Sequence, residues 1–489
     1  MAIETELKLA LPTAAASRLK RIAAGMSGRA QQQDLYSIYI DTPGFDLYRR
    51  GIALRLRRVG YHWVQTLKAE AAGAGLLAQR PEWETQVAGN AIDLAVLPPE
   101  ARQLLADIAI DRLVPVFLSE FKRSTWVVEN DDGRLELALD HGHLVAGEQR
   151  LPLSEIELEL KSGAPARLFE LARRLAAEIP LRIEPRSKAM RGYALAGAFE
   201  PAPCKAVAVD IRPGMAAGEA WQRMLEAALG QFTANLPGYL ESEDPEYLHQ
   251  MRVAIRRLRT VLAEAPRIGL ATPAWGAAAD ALMDILSPAR DWDVFCEVTL
   301  PGVQEGLADP DALAGLTRAA ARQRAEARRR VRAALRAPDT LAWLLAASED
   351  LLSPPATAVT VDAWAGQALD RRFKTLRQRG KGYARLDGGG RHRLRIAVKK
   401  MRYTLEAFAP LHDRRARGLL ADLARLQDVL GAANDIVVAH RLLDTPAMSR
   451  PHARAVGLVE GWLACLASFA PDPLRDLVTS LRAIKPFWR

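Results

Sequence analysis

Cysteine is nearly absent: Cys204, Cys296 and Cys465 are the only three in 489 residues, and they lie far apart. That count and spacing exclude a disulfide framework and a paired-thiolate zinc site, so all three are read as reduced. No apolar run approaches the roughly 18 residues of a membrane span, and Glu4 and Glu6 stand where a secretory leader carries positive charge. The expectation is a cytoplasmic protein without membrane spans. Aromatic residues make up only 6% of the chain, which leaves little for stacking on nucleobases. What is present is 49% apolar and 26% charged, enough for real hydrophobic cores, and the length predicts two to four domains.

Charge is distributed unevenly. Residues 1–217 hold 28 bases against 27 acids, whereas residues 218–489 hold 39 against 31, so +8 of the net +9 lies in the second part. Between them, AGAFEPAPCKAVAVDIRPG has three prolines and no clear period, which marks a linker. The reading is an α+β multidomain chain: residues 1–200 as one domain, 201–217 as linker, and 218–489 as a second domain with halves near 218–350 and 360–489.

The first part alternates with period two. Strands are expected at 3–11, 36–40, 52–59, 62–69, 81–88, 121–129, 134–140 and 155–161, with helices at 14–24, 99–109 and 165–178. In an extended strand alternate side chains share a face, so Glu4, Glu6 and Lys8 point one way and Leu7 and Leu9 the other. The pattern recurs at Arg55 and Arg57, at Glu82 and Glu84, at Glu136 and Asp140, and at Glu157 and Glu159. Lys122 and Arg58 have the opposite parity to Arg123 and Arg57 and should face outward. His141 and His143 are expected to flank a turn in DHGHL. Alternation fits a water-facing sheet equally well. The mixture of signs, with leucine-rich opposite faces, favours eight antiparallel strands closed into a tunnel with flanking helices and charges inside.

In this order, Glu4/Glu6/Lys8, RLRR, QTLK, RPEWE, FKR, ELELK and SKAMRGY resemble the CYTH domains, the triphosphate tunnel metalloenzymes. The resemblance covers about residues 1–200 and implies an antiparallel tunnel hydrolysing a triphosphate with a divalent cation. It assigns phosphate binding to Lys8, Arg55, Arg57, Lys68, Arg123 and Lys188. Hard oxygen ligands for Mg²⁺ or Mn²⁺ would come from Glu4, Glu6, Asp140, Glu157 and Glu159. Glu4 or Glu6, beside Lys8, is the catalytic candidate for orienting water, and Glu82 and Glu84 would brace the bases.

The second part changes to a period of about 3.6, with amphipathic helices expected at 219–236, 246–264, 274–286, 311–337, 362–379, 391–410, 414–430 and 452–469. Two segments match each other: HQMRVAIRRLRTVL from His249 and HRLRIAVKKMRYTL from His392, at an offset of 143. Arg252 pairs with Arg395, Arg256 with Lys399, Arg257 with Lys400 and Arg259 with Arg402. LSPARDWDV around Asp291 answers LGAANDIVV around Asp435, so this all-α part is an internal duplication. Like charges so close together disfavour a helix, and their repetition in both halves points to a polyanion.

These segments resemble the CHAD domain, a duplicated helical bundle associated with inorganic polyphosphate. The resemblance makes His249, Arg252, Arg256, Arg259, His392, Arg395, Lys399 and Arg402 phosphate contacts, with Arg257 and Lys400 in the same basic segments. Histidines protonated near pH 6 would strengthen the binding. The expected function is hydrolysis of inorganic triphosphate with tethering to polyphosphate, the protein being cytoplasmic or on polyphosphate granules. An organic triphosphate such as thiamine triphosphate, cyclase chemistry on ATP, and a tunnel that only docks phosphates remain as alternatives. Nucleic acid is disfavoured, and oligomeric state is not set by the sequence.

Overall fold

The computed structural model describes residues 2–69, 76–309, 311–469 and 474–488. They form two compact units. The first runs to Cys204 and includes Thr233–Glu241 and Arg336–Leu352; the second takes Lys205–Phe232, Ser242–Leu335 and the residues from Ser353 onward.

The first unit is built on nine strands: β1 Ala2–Ala10, β2 Gln31–Asp41, β3 Ile52–Val59, β4 His62–Ala69, β5 Leu77–Val87, β6 Val114–Asn130, β7 Gly133–Ala146, β8 Gln149–Gly163 and the two-residue β9 Arg182–Ile183. Their order is β5-β4-β3-β2-β6-β7-β8-β1-β9, and β5 also pairs with β1, so eight antiparallel strands close into a barrel. The eight expected strands are all present; β9, which pairs with Leu9 and Ala10, is an addition.

The period-two pattern decides which side is inside. Leu7, Leu9, Leu54, Leu56, Leu67, Leu137, Ile156 and Leu158 are buried between the barrel wall and what covers it, while the ionisable residues of opposite parity face the lumen. Each such aliphatic side chain contributes about 1.5–3 kcal/mol by leaving water, and together they hold the charged face inward. Leu47, Leu97, Ala101 and Leu105 complete this outer layer on one side, and the helix Ala166–Ala176 buries Leu168, Phe169, Leu171, Ala172 and Leu175 on another. The expected helix at 99–109 is helical only over Pro99–Gln103.

DHGHL is not a turn. His141 and His143 lie within β7, exposed, and Gly142 between them is needed because a Cβ there would meet the Glu120 carbonyl oxygen and Phe121 of the neighbouring strand. Leu35, Phe121 and Leu153, in register with Gly142, fill one reach of the lumen with apolar side chains.

The second unit is helical. Pro245–Leu262, Gly276–Val294, Ala314–Arg336 and Val361–Arg379 lie close to their expected places. The pair expected at 391–410 and 414–430 is one helix, Gly388–Leu443, which continues through Pro410. Leu474–Ala483 was not foreseen, nor was Pro338–Asp350, which belongs to the first unit and packs there on Ala166–Ala176, with Arg173 pairing with Glu349 at 2.5 Å.

Candidate active site and basic cleft

The barrel encloses a cavity of about 260 Å³ whose walls carry Lys8, Arg55, Arg57, Lys68, Arg123, Lys161 and Lys188 against Glu4, Glu6, Glu82, Glu84, Glu136, Glu157 and Glu159. Seven bases and seven acids make a near-neutral lumen. β1 aims Glu4, Glu6 and Lys8 together: Lys8 holds Glu6 at 2.5 Å and Lys68 holds Glu4 at 2.6 Å. Glu82 stands 3.1 Å from Lys68 and 3.5 Å from Arg55, and Glu84 accepts from Thr66 and faces Arg55, so both brace the bases as expected. Lys122 and Arg58 are exposed outside the barrel.

Lys188 starts the helix Lys188–Leu195, capped by Ser187, which accepts from the Met190 amide. Gly192 lets that helix lie directly on the Phe117 ring, where any Cβ would collide. The ammonium of Lys188 contacts Asp140 at 2.7 Å, Glu155 at 2.5 Å and Glu157 at 2.7 Å. Arg123 grips Asp140 through two hydrogen bonds and also reaches Glu157. Both cations sit over the Phe121 ring. Burial alone would raise the Glu157 carboxyl; Lys188, Arg123 and Lys8 outweigh it and hold it well below the usual carboxylate range.

The three acids Asp140, Glu155 and Glu157 converge closely enough to hold a metal ion, but the Lys188 ammonium already bonds all three. Glu6, Glu159 and Glu136 form a second acidic row, directly opposite one another across β1, β8 and β7, with Glu4 beside it. The Glu159 carboxyl is raised by burial and by Glu4 and Glu136, despite Lys161 at 2.6 Å. Carboxylates that repel one another in an enclosed space are a donor set suited to a hard divalent cation.

Among the described lumen cations, Arg57 alone has no carboxylate within ion-pair distance; its Nε donates to Ser37 Oγ at 3.2 Å. Burial, then Arg55 and Arg123, lower its pKa to about 10. Beside it Tyr39 is buried, and Arg55, Arg57 and Lys188 together outweigh burial and lower its phenol.

In the helical unit the two repeated segments converge. Arg252 and Arg256 of Pro245–Leu262 face Arg395 and Lys399 of Gly388–Leu443 closely enough to perturb one another. Arg256 donates to the Tyr403 hydroxyl at 2.8 Å, and Arg395 donates to Asn434 at 2.9 Å. The Nε and Nη1 of Arg252 and the Nε of Arg395 are shut from solvent without a hydrogen-bond partner. Burial and the neighbouring guanidinium groups push Arg252 down to about 10 and Lys399 down to about 7.

Family comparison agrees with both geometries: residues 2–193 match the CYTH domain and residues 223–444 the CHAD domain. The chain carries a CYTH domain followed by a CHAD domain. An inorganic triphosphatase of Haemophilus influenzae is 33% identical over 199 residues, 39% of this chain and 54% of that protein, so the matched stretch spans about half the relative's length. The CHAD domain of the plant Ricinus communis is 32% identical, covering 58% of this chain and 98% of that one, with a TM-score of 0.50. A putative adenylyl cyclase from Hippeastrum, described as having a dominant triphosphatase activity, is 23% identical over 38% of this chain and 95% of its own, with a TM-score of 0.30. No helix among the described residues is long and apolar enough to cross a membrane.

Within the CYTH barrel every residue expected at the site faces the lumen or, for Asp140, lies buried behind it with 0% exposure. Lys161, Tyr39 and Glu155 join them unforeseen, as does Glu136, which the alternation puts on the charged strand face without assigning it a role. Lys161 and Glu136 carry the right parity; the signal was in the strand pattern of β8 and β7. In the CHAD domain the expected stripe divides. Arg252, Arg256, Arg395 and Lys399 converge with His249, whereas Arg259 pairs with Asp280 at 2.5 Å, Arg402 pairs with Glu406, and Arg257 neighbours Glu406, Tyr403 and Arg402. His392 and Lys400 are exposed. His249 does not supply the expected charge near pH 6: burial, with Arg290, Arg256 and Arg252, lowers it to about 4 against the pull of Glu246.

Proposed function

We propose that the CYTH barrel hydrolyses inorganic triphosphate and that the CHAD domain binds inorganic polyphosphate, in a cytoplasmic protein. The observation that carries this reading is an enclosed lumen with Arg57 unpaired beside Arg55 and Lys68 on one side and the Glu4, Glu6, Glu136 and Glu159 cluster on the other.

A triphosphate brings roughly four to five negative charges into a lumen whose own charges already balance. The cluster of Glu4, Glu6, Glu136 and Glu159 would hold Mg²⁺ or Mn²⁺, supplying the missing positive charge and lowering the pKa of a bound water. The chain's own residues do the rest. Arg57 takes the phosphate oxygens that no carboxylate contests; Arg55, Lys68, Lys8 and Arg123 exchange part of their contact with glutamates for contact with phosphate. Lys188, held by Asp140, Glu155 and Glu157, presents its charge from the floor without moving far. A carboxylate of β1, Glu4 or Glu6, orients the attacking water. The barrel walls exclude bulk solvent and so strengthen each contact.

The relationship to an inorganic triphosphatase supports the substrate class. Phosphate release from tripolyphosphate, ATP and thiamine triphosphate, each with Mg²⁺ and Mn²⁺, tests it. Preferential release from tripolyphosphate is expected. Preference for either organic substrate would overturn the reading, and no release from any would leave a docking tunnel.

A further inference from the structure

A third cationic feature lies apart from both sites. Lys374 and Arg377, three residues apart on the helix Val361–Arg379, share one face, and Lys381 in the turn just beyond it lines the same groove; all three are exposed. Arg482, on the helix Leu474–Ala483, closes the other side of the groove, whose volume is about 600 Å³. Its Nε is shut from solvent with no hydrogen-bond partner, and its stem packs near Gly380. The acid in the groove, Asp370, accepts from the Trp488 indole at 2.9 Å.

These charges are not a by-product of the duplication. Trp221 and Trp364, both buried, align the first helix of each half at the same offset of 143 as the histidine segments. At that offset Lys374, Arg377 and Lys381 correspond to Gln231, Ala234 and Gly238, so the repeat fold is made without them. Arg482 lies outside the stretch that matches the CHAD domain. Like charges this close together, with the unpartnered Nε of Arg482 across the groove, are destabilising unless an anion joins them.

We infer that this groove is a second anion site of the helical unit, taking a linear inorganic phosphate chain. The ligand class follows from the lining. Phe373 is buried, with Arg377 over its ring and Trp488 against it, so it offers no face for a nucleobase, and apart from Gln378 and Pro486 the rest of the lining is charged, predominantly basic. The inference rests on the reading of the CHAD domain as a polyphosphate binder, and the experiment separates the two.

Full-length protein is titrated with long-chain polyphosphate at several salt concentrations, as wild type, as R252A/R395A, and as K374A/R377A/K381A. The last variant is expected to weaken binding about tenfold and to lower the slope of log affinity against log salt by about two, one increment for nearly every contact removed. Adding it to R252A/R395A should remove the binding that variant retains. Because the three residues are exposed, folding should be unaffected; K374R/K381R, which keeps the charge, should bind like wild type. An unchanged affinity and slope in the triple variant, with R252A/R395A weakened, overturns the groove alone. Failure of the wild type to bind polyphosphate overturns the parent reading. Equal competition by single-stranded DNA of matched charge overturns the ligand class.

Discussion

The barrel and the helical cleft both concentrate arginine and lysine, but they handle the charge in opposite ways. In the barrel nearly every base has a carboxylate at 2.5–3.5 Å, supplied by its own strand for Lys8 and Lys161 and by other strands for Arg55, Lys68 and Lys188. In the cleft Arg252, Arg256, Arg395 and Lys399 crowd one another, with Asp291 and Asp435 too few to neutralise them, and Asp291 is taken up by Arg441 at 2.6 Å. A neutral lumen takes up a polyanion only with added cations; a lumen also offers the carboxylates that hold them. A cleft with surplus positive charge needs no such help. On the proposed function, the contrast assigns metal-dependent chemistry to the barrel and metal-independent binding to the cleft.

The most severe test of that contrast is removal of divalent cations. Chelation should reduce tripolyphosphate hydrolysis by about a hundredfold or more, since metal stabilisation of phosphoryl charge is worth several kcal/mol. Retardation of long polyphosphate by the full chain should be unchanged in the same buffer. Loss of both on chelation would show that the cleft too depends on metal, and the contrast would collapse.

Within the barrel, Arg57 should matter more than its paired neighbours. Replacing it with Ala should lower kcat about 10²- to 10³-fold, the usual effect of losing one positioned donor to developing charge. Arg57→Lys should recover part of this, because a point charge substitutes for the charge but not for the two-pronged geometry. A loss confined to KM would assign Arg57 to ground-state binding instead.

Much of this was legible before any coordinates. Period two along β1, β3 and β8 fixed which residues share a face, since Leu7, Leu54 and Leu158 could only be satisfied away from water. Two kinds of information were not. Which acid meets which base depends on register between strands distant in sequence: Glu6 lies opposite Glu159, and Glu159 opposite Glu136, a row no local pattern contains. The position of Lys188 depends on a helix that Gly192 seats on Phe117, and only that placement shows Asp140 and Glu157 already engaged by an ammonium. In the helical part, Pro410 signalled a break that tertiary packing overrides, and PDTLAWLLAASED was too short and too apolar to show a helical period.

In the cleft, function and stability should oppose each other. Arg252→Met with Arg395→Met removes two half-buried cations whose partial desolvation is unfavourable in the free protein. Polyphosphate affinity should fall about tenfold per side chain, near 1.4 kcal/mol each, while the melting temperature rises by a few degrees. A drop in both would mean that these arginines serve the fold, and the cleft would lose its claim to be a site.

The smallest effect concerns Lys399. Burial, then Arg395, Arg256 and Arg252, lower its pKa to about 7, with Asp435 opposing them. In the unfolded chain the same amine stays protonated to well above pH 9. Between about pH 7 and the ordinary lysine value the unfolded state thus binds the extra proton, so this group's contribution to stability rises with pH across that window and is most unfavourable below it. Anion binding runs the other way. Below pH 7 the ammonium is present to meet phosphate; as pH rises the free cleft loses one charge, and affinity should fall by a few-fold between about pH 6 and pH 8.5. Bound phosphate itself draws the proton back, which limits the change. His249, lowered to about 4, stays neutral in the free protein throughout this range and adds no slope. Lys399→Met should flatten both trends, affinity and melting temperature, without altering how the wild type compares with it at the alkaline end. Titrations of the two proteins at matched ionic strength decide the matter: parallel pH slopes would place the titrating group elsewhere in the cleft.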